Sequence, residues 1–205
     1  MNNKTKRILC SIIGNLLIGC SIGILKLSKS GLDPLSFMNS GFSSFLNRDF
    51  GTVITVCNMI MLVIVFFCHR KSIGLGTVIN MATVGYTADF VYMLIKFMNT
   101  DKFWINFIFL LIGINVLSIG AGIYLEADLG ASAYDSMPYV VNSVLKKDLS
   151  YKYTRIALDI VTILIGVSFG ERIGIGTIFL GFFSGPLIVF YRDLSEKLIF
   201  ENRQK

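Results

Sequence analysis

Ile73-Gly74-Leu75-Gly76-Thr77 and Ile173-Gly174-Ile175-Gly176-Thr177 carry one pattern, Ile-Gly-x-Gly-Thr, set 100 residues apart. Other positions fall into step with it. At a shift of 99, Leu46-Asn47-Arg48-Asp49-Phe50 lands on Leu145-Lys146-Lys147-Asp148-Leu149, Gly31 on Gly130 and Met38 on Met137. Ile13-Gly14 lands on Ile112-Gly113, Gly23-Ile24 on Gly122-Ile123, and Gly85 lies 100 before Gly185. Single glycines align by chance in an apolar chain. A five-residue pattern in register with a charged loop upstream does not. Self-similarity at a fixed period marks a repeated structural unit. The sequence therefore predicts one membrane domain over residues 1–205, with repeat units at about 8–98 and 103–192 and a cytoplasmic tail at 193–205.

The bulk composition says what surrounds these units. Of 205 residues, 54% are hydrophobic and only 16% charged, with mean hydropathy +0.68. Soluble domains carry about 25% charged residues. A soluble fold of this size could not hide so much apolar surface, whereas a bilayer solvates it. A spanning helix needs about 20 mostly apolar residues. Six runs qualify: residues 8–27, 51–68, 73–97, 103–125, 151–169 and 173–191. The first follows Lys4, Lys6 and Arg7, as a signal peptide would. No small-residue cleavage site follows it, and it has a counterpart at 103–125, so it reads as a helix of the bundle.

Residues 31–47 and 130–146 fit none of these runs. They hold Asp, Asn, Ser and Pro, and each follows a glycine. They read as broken, re-entrant or interfacial segments, tolerated at membrane depth only where protein or water covers the backbone. The expected fold is an all-α polytopic helical bundle, with about six spanning helices plus two short broken segments. Three crossings per unit would turn the second copy upside down. Inverted repeats of this kind are common among secondary transporters, whose sites lie at the repeat interface.

The net charge of +6 would suggest nucleic acid in a soluble chain. Here Lys and Arg flank apolar runs and no basic stripe with interleaved aromatics exists, so no nucleic-acid partner is expected. With the N-terminus inside, six spans put most Lys and Arg inside, Arg70, Lys71, Lys146, Lys147 and Lys197 among them. Eight spans give nearly the same bias with both termini inside. The shortness and polarity of the two broken segments favour six.

Ionisable residues at membrane depth are costly and mark functional sites by default. Asp33, Ser36 and Asn39 lie in the first short segment; Ser132, Asp135 and Ser136, with Tyr134, lie in the second. Polar groups on broken segments at corresponding places are a pointer to a transporter's substrate site. Asp33 before Pro34 equally suits a helix N-cap. Asn58 and Asp159 sit mid-helix at nearly matching positions. Asp159 has Arg155 one turn earlier, so a structural ion pair and a substrate role both remain open. Asn80 and Asp89 polarise the third helix, where Asp89 suits either the outer interface or a functional role. The turns holding Gly76, Thr77, Gly176 and Thr177 begin helices, whose free N–H groups favour anions; close packing at a tight turn is the plainer reading. Gly19 and Gly23, Gly166 and Gly170, and Gly181 and Gly185 have the small-xxx-small spacing that lets helices approach.

No phosphate loop, His-Glu zinc motif, Ser-His-Asp set or CxxC occurs. Cys10, Cys20, Cys57 and Cys68 have no metal spacing, and His69, the only histidine, lies beside Arg70 and Lys71. Accordingly no catalytic residues, no metal, no cofactor and no enzyme activity are expected.

Gly76-Thr77-Val78-Ile79-Asn80 with Gly85 and Asp89, Gly31-Leu32-Asp33-Pro34 with Gly41, and Gly174-Ile175-Gly176-Thr177 ahead of Gly185-Pro186 resemble the YczE/YyaS/YitT-like integral membrane proteins of bacteria. The similarity covers about residues 8–191. The second copy departs from it, with Ala133 where Pro34 stands and Val189 where Asp89 stands. The resemblance implies a multi-pass protein of the bacterial cytoplasmic membrane and carries no substrate or catalytic residue. The expected function is a small-molecule transporter or permease-like protein whose partners are the bilayer and an unknown substrate. Two alternatives stand beside it. One is an accessory or scaffolding protein, working as a homo-oligomer or with a partner membrane protein. The other is the substrate-binding subunit of an energy-coupling-factor importer, which usually carries an Ala-xxx-Ala face on its first helix; this first helix has no Ala.

Overall fold

The structure, a computed structural model, describes residues 3–48 and 50–200. Asp49 of the charged-loop match and residues 201–205 of the expected tail lie outside the described residues. Among the described residues eight α-helices follow one another: α1 Asn3–Ser28, α2 Pro34–Leu46, α3 Phe50–His69, α4 Leu75–Ile95, α5 Phe103–Glu126, α6 Met137–Leu145, α7 Tyr151–Ser168 and α8 Ile175–Phe200. Strands are absent among the described residues.

The short segments fold as short helices. Asp33 caps α2 by accepting the Ser36 N–H at 3.1 Å, and Pro34 takes the first helical position, where its missing N–H is harmless. Asn47 and Lys146 close α2 and α6 in the left-handed conformation, at φ 50° and 52°. With 13 and 9 residues, these helices are about 20 and 14 Å long. Neither reaches across a hydrocarbon core of about 30 Å.

Among the described residues five helices, α1, α3, α4, α5 and α8, are long and apolar enough to cross a membrane. α7, the remaining run of the six expected, is the polar one. This helix has 18 residues, includes Lys152, Arg155 and Asp159, and buries Arg155, Asp159, Thr154 and Thr162. Its polar face turns into the bundle. The last helix continues into the residues expected as a tail. No glycine or proline follows Tyr191 before Phe200, and Arg192 is held to Glu126 at 3.1 Å. The helix therefore runs on through residue 192 instead of breaking there.

α1 and α5 form the antiparallel centre. Arg7 meets Asp128 at one end, 3.5 Å apart, and Lys29 meets Asp101 at the other, at 2.8 Å. Between them the helices touch at Gly14 and Gly120, where a Cβ on either would lie 2.7 Å from the other's carbonyl oxygen. Ile18, Ala121, Tyr124, Leu125 and Ile188 pack one core cluster, and Leu25, Leu110, Ile114, Leu117 and Leu180 another. α4 lies on α1, where a Cβ on Gly19 or Gly23 would come 2.9 Å from the Val84 or Ala88 oxygen. α8 lies on α5, α2 against α7 and α6 against α3. α7 also packs on α8, whereas α3 and α4 scarcely touch. Outer faces such as Met59, Val63 and Phe67 on α3 and Val78, Phe90 and Met93 on α4 are exposed, which suits lipid.

Two loop-to-helix junctions lock the bundle. The Gly76 N–H donates to the Leu129 carbonyl at 2.6 Å, and the Gly176 N–H to the Ser30 carbonyl at 2.7 Å. Thr77 Oγ1 donates to the Ala131 carbonyl at 2.6 Å; Thr177 Oγ1 accepts the Leu32 N–H at 3.1 Å. In each junction the facing loop holds a glycine at positive φ, Gly130 at 99° and Gly31 at 125°, a region that side chains with a Cβ rarely enter. The Gly76 junction lies at the Asp128 end of the central pair and the Gly176 junction at the Lys29 end.

Candidate functional site

A cavity of about 200 Å³ opens inside the bundle. α1 contributes Ile18, Ile22 and Lys26; the start of α2 contributes Asp33 and Ser36; α3 contributes Ile54 and Asn58. α4 adds Asn80, Met81, Val84, Gly85 and Asp89, and the far wall holds Ser132, Tyr134, Asp135, Arg155, Ser184 and Ile188. The cavity lies where α3 and α4 stand apart.

Arg155 organises the far wall. Its guanidinium is hydrogen-bonded to Asp135 Oδ1 and donates from Nε to Asp159 Oδ1 at 3.3 Å. Asp135 Oδ2 accepts from the Tyr124 hydroxyl and from Ser132 Oγ, the latter at 2.6 Å. Asp159 takes the Tyr134 hydroxyl at 2.5 Å and Ser184 Oγ at 3.1 Å. Arg155 also lies 4.4 Å over the Tyr134 ring, a cation–π distance. Asp159 is wholly buried, and Asp135 and Arg155 are each 8% exposed. Two carboxylates therefore share one guanidinium.

Of the residues singled out in the sequence, Asp33, Ser36, Asn58, Asn80, Ser132 and Asp135 line the cavity. Asp159 sits behind the wall and reaches the cavity through Arg155 and Ser184. Asn39 and Ser136 are outside the lining; Asn39 donates to the Leu35 carbonyl at 2.9 Å and Ser136 to the Ser132 carbonyl at 2.8 Å. Asn80 donates to Asn15 Oδ1 at 2.6 Å, joining α4 to α1. Asp33 is both cap and lining residue: one oxygen holds Ser36, while buried Oδ2 has no partner among the described residues. Asp89 is paired with Lys26 at 2.7 Å.

Gly76, Thr77, Gly176 and Thr177 are packing elements. Their N–H and hydroxyl groups serve the two junctions, and the Gly74 N–H goes to Thr77 Oγ1 at 3.1 Å. The Gly76 and Gly176 N–H groups and the Thr77 hydroxyl are donated within the junctions, which favours the packing reading. His69 stays at the helix end, with Nδ1 2.8 Å from Ser72 Oγ and its ring stacked on Tyr139.

Tyr124, Ser184 and the Asp135–Arg155 bond were not readable from the sequence. Tyr124 and Asp135 are 11 residues apart and Asp135 and Arg155 are 20, on different elements. Only the Arg155–Asp159 pair, one turn apart on α7, had a periodic signal.

An uncharacterised protein of Haemophilus influenzae is 26% identical over 185 residues, covering 89% of this chain and 81% of its own. The uncharacterised membrane protein YczE of Bacillus subtilis is 24% identical over 125 residues, 61% of this chain and 56% of the relative. No solved structure matches. With five membrane-length apolar helices and a membrane relative of the expected type, this is a membrane protein. The model of a family of unknown function, DUF6198, matches residues 5–193, and the chain belongs to that family.

Proposed function

We propose that the protein carries a small molecule across the bacterial cytoplasmic membrane, at a site between two duplicated, inverted halves. The observation that carries this reading is the central cavity, walled by Asp33, Asn58 and Asn80 of the first half and Ser132, Asp135 and Arg155 of the second. Duplication is supported by backbone matches at the repeat spacing. Lys29 and Asp128, Gly31 and Gly130, and Asn47 and Lys146 all have positive φ. Inversion is supported by antiparallel α1 and α5 and by reciprocal junctions at opposite ends. α7 then counts as the sixth span, its charges facing inward. The Lys and Arg bias puts both termini inside. A carrier role also fits the lack of packing between α3 and α4 beside firm packing of α7 on α8, one pair open and its counterpart closed.

The test is solute flux in proteoliposomes, with solutes chosen by ligand-dependent thermal stabilisation across a metabolite library. Alanine at Asp135 or Asp159 is a poor control, because it would remove one of the two carboxylates that hold Arg155 in place. Gly85→Phe is better: Gly85 lines the cavity, and a Cβ there meets nothing within 4 Å. Flux that Gly85→Phe blocks supports the carrier. A folded protein that stabilises with no metabolite, moves none and retains a partner protein would favour the accessory role. Cysteines replacing Lys71 and Lys102 should label from inside and outside respectively; the reverse would count against six spans.

A further inference from the structure

We propose that the cavity takes a small organic monocation, an ammonium group on an apolar body, and that Asp33 is its counter-ion. The proposal rests on reading the cavity as a substrate site.

Charge accounting around the cavity leads to it. Its charged lining residues are Lys26, Asp33, Asp89, Asp135 and Arg155. Lys26 is bound to Asp89, and Arg155 is held between Asp135 and Asp159. Asp33 alone has no cation among the described residues. One of its oxygens accepts a backbone N–H, and the other is buried without a partner. The amino end of α2 favours a carboxylate here, yet the helix dipole supplies only about half a charge. With Asp159 behind the wall, the region holds four carboxylates against two cations. A ligand bearing one positive charge moves this balance toward neutrality, and an anion moves it away.

The rest of the wall describes the ligand's body. Ile18, Ile22, Ile54, Val84, Leu117 and Ile188 offer apolar contact. Asn58 also lines the space, with no hydrogen bond among the described residues, and is available to a polar ligand group. About 200 Å³ is below the roughly 300–1,000 Å³ of drug-sized sites, so the ligand is small. A bare metal ion would need a shell of oxygens, six to eight for calcium as a rule, and aliphatic walls do not supply one.

The experiment compares three solutes of similar size, butyltrimethylammonium, hexanol and hexanoate, for binding to the full chain in lipid nanodiscs by equilibrium dialysis. The ammonium should bind at least about tenfold more tightly than the other two, equivalent to about 1.4 kcal/mol. Asp33→Asn removes the charge and keeps a capping side chain. It should lower ammonium affinity about tenfold or more while the melting temperature holds. Gly85→Phe should abolish specific binding and so control for partition into lipid. Equal binding of the three solutes, unchanged ammonium affinity in Asp33→Asn, no binding at all, or displacement of the ammonium by sodium chloride at matched ionic strength but not by choline chloride would each overturn the proposal. Flux of an anionic or neutral solute that Gly85→Phe blocks would overturn the cation assignment and leave the carrier intact. Ammonium binding that meets these criteria, without flux of the ammonium, would support the site and count against the carrier.

Discussion

The two loop-to-helix junctions are built alike, and the helix pairs beyond them are not. At both, the second glycine of the Ile-Gly-x-Gly-Thr pattern hands its N–H to a loop of the other half, and a threonine adds a second bond. Past the junctions α7 packs on α8, while α3 and α4 stand apart around the cavity. The side chains differ in step. α7 carries Arg155 and Asp159, whose bonds reach Asp135, Tyr134 and Ser184. α3 carries Asn58 and no charge at the corresponding depth. Backbone pattern thus sets where helices join, and the polar side chains between them set whether neighbours close.

Breaking the Arg155 network should produce the largest effect. Arg155→Ala leaves Asp135 and Asp159 buried without a cation, a loss worth about 3–5 kcal/mol. Thermal unfolding in detergent should show a large drop or a failure to fold; a melting temperature within a degree or two of wild type would mean that the network does not hold α7 in place.

The junctions themselves should part company next. A methyl on Gly76 meets backbone oxygens of Gly130 and Leu129, which cannot swing aside. On Gly176 its nearest neighbour is the Leu110 Cδ1 methyl at 2.7 Å, with the Ser30 oxygen at 3.0 Å. Gly76→Ala should cost about 1–3 kcal/mol as overpacking, and Gly176→Ala less, since the leucine tip can move. Equal losses would show that junction geometry outweighs the identity of the neighbour. Thr77→Val and Thr177→Val should each cost about 0.5–1.5 kcal/mol, as a lost hydrogen bond does. Thr77 should suffer more, because its hydroxyl serves both Gly74 and Ala131.

Surface pairs should matter least. Asp89→Asn removes the partner of Lys26, but Asp89 is largely exposed, so about 0–1 kcal/mol is expected. Lys29, by its hydrogen bond and then its charge, holds the exposed Asp101 below the usual carboxylate range. A depressed carboxylate stabilises the fold above its unfolded pKa, and that contribution fades as pH falls through the folded one. A melting curve followed from neutral to acid pH should therefore be the same for Asp101→Asn and wild type at the acid end. At neutral pH they should differ only slightly.

Much of the fold was legible because lipid imposes a simple rule on composition. The six long segments, their order and the two interruptions followed from apolar run length. Asp33 and Pro34 announced the start of α2 by cap chemistry. Run length gives α7 as a segment but ignores which way its polar face points. The tie from Arg192 to Glu126, which spans 66 residues, was not legible.

By itself the sequence determined a membrane-resident helical chain, a doubled pattern and a set of polar positions, since run length, period and caps are local properties. Tertiary structure alone decided which of those positions share a space. Asp33, Asn58 and Asp135 lie on separate elements, and the packing of the bundle sets them around one cavity. The same packing decided that the pattern's glycines and threonines bind backbone, and that Asp33 is left facing the cavity without a cation, a balance fixed only when distant charges have chosen their partners.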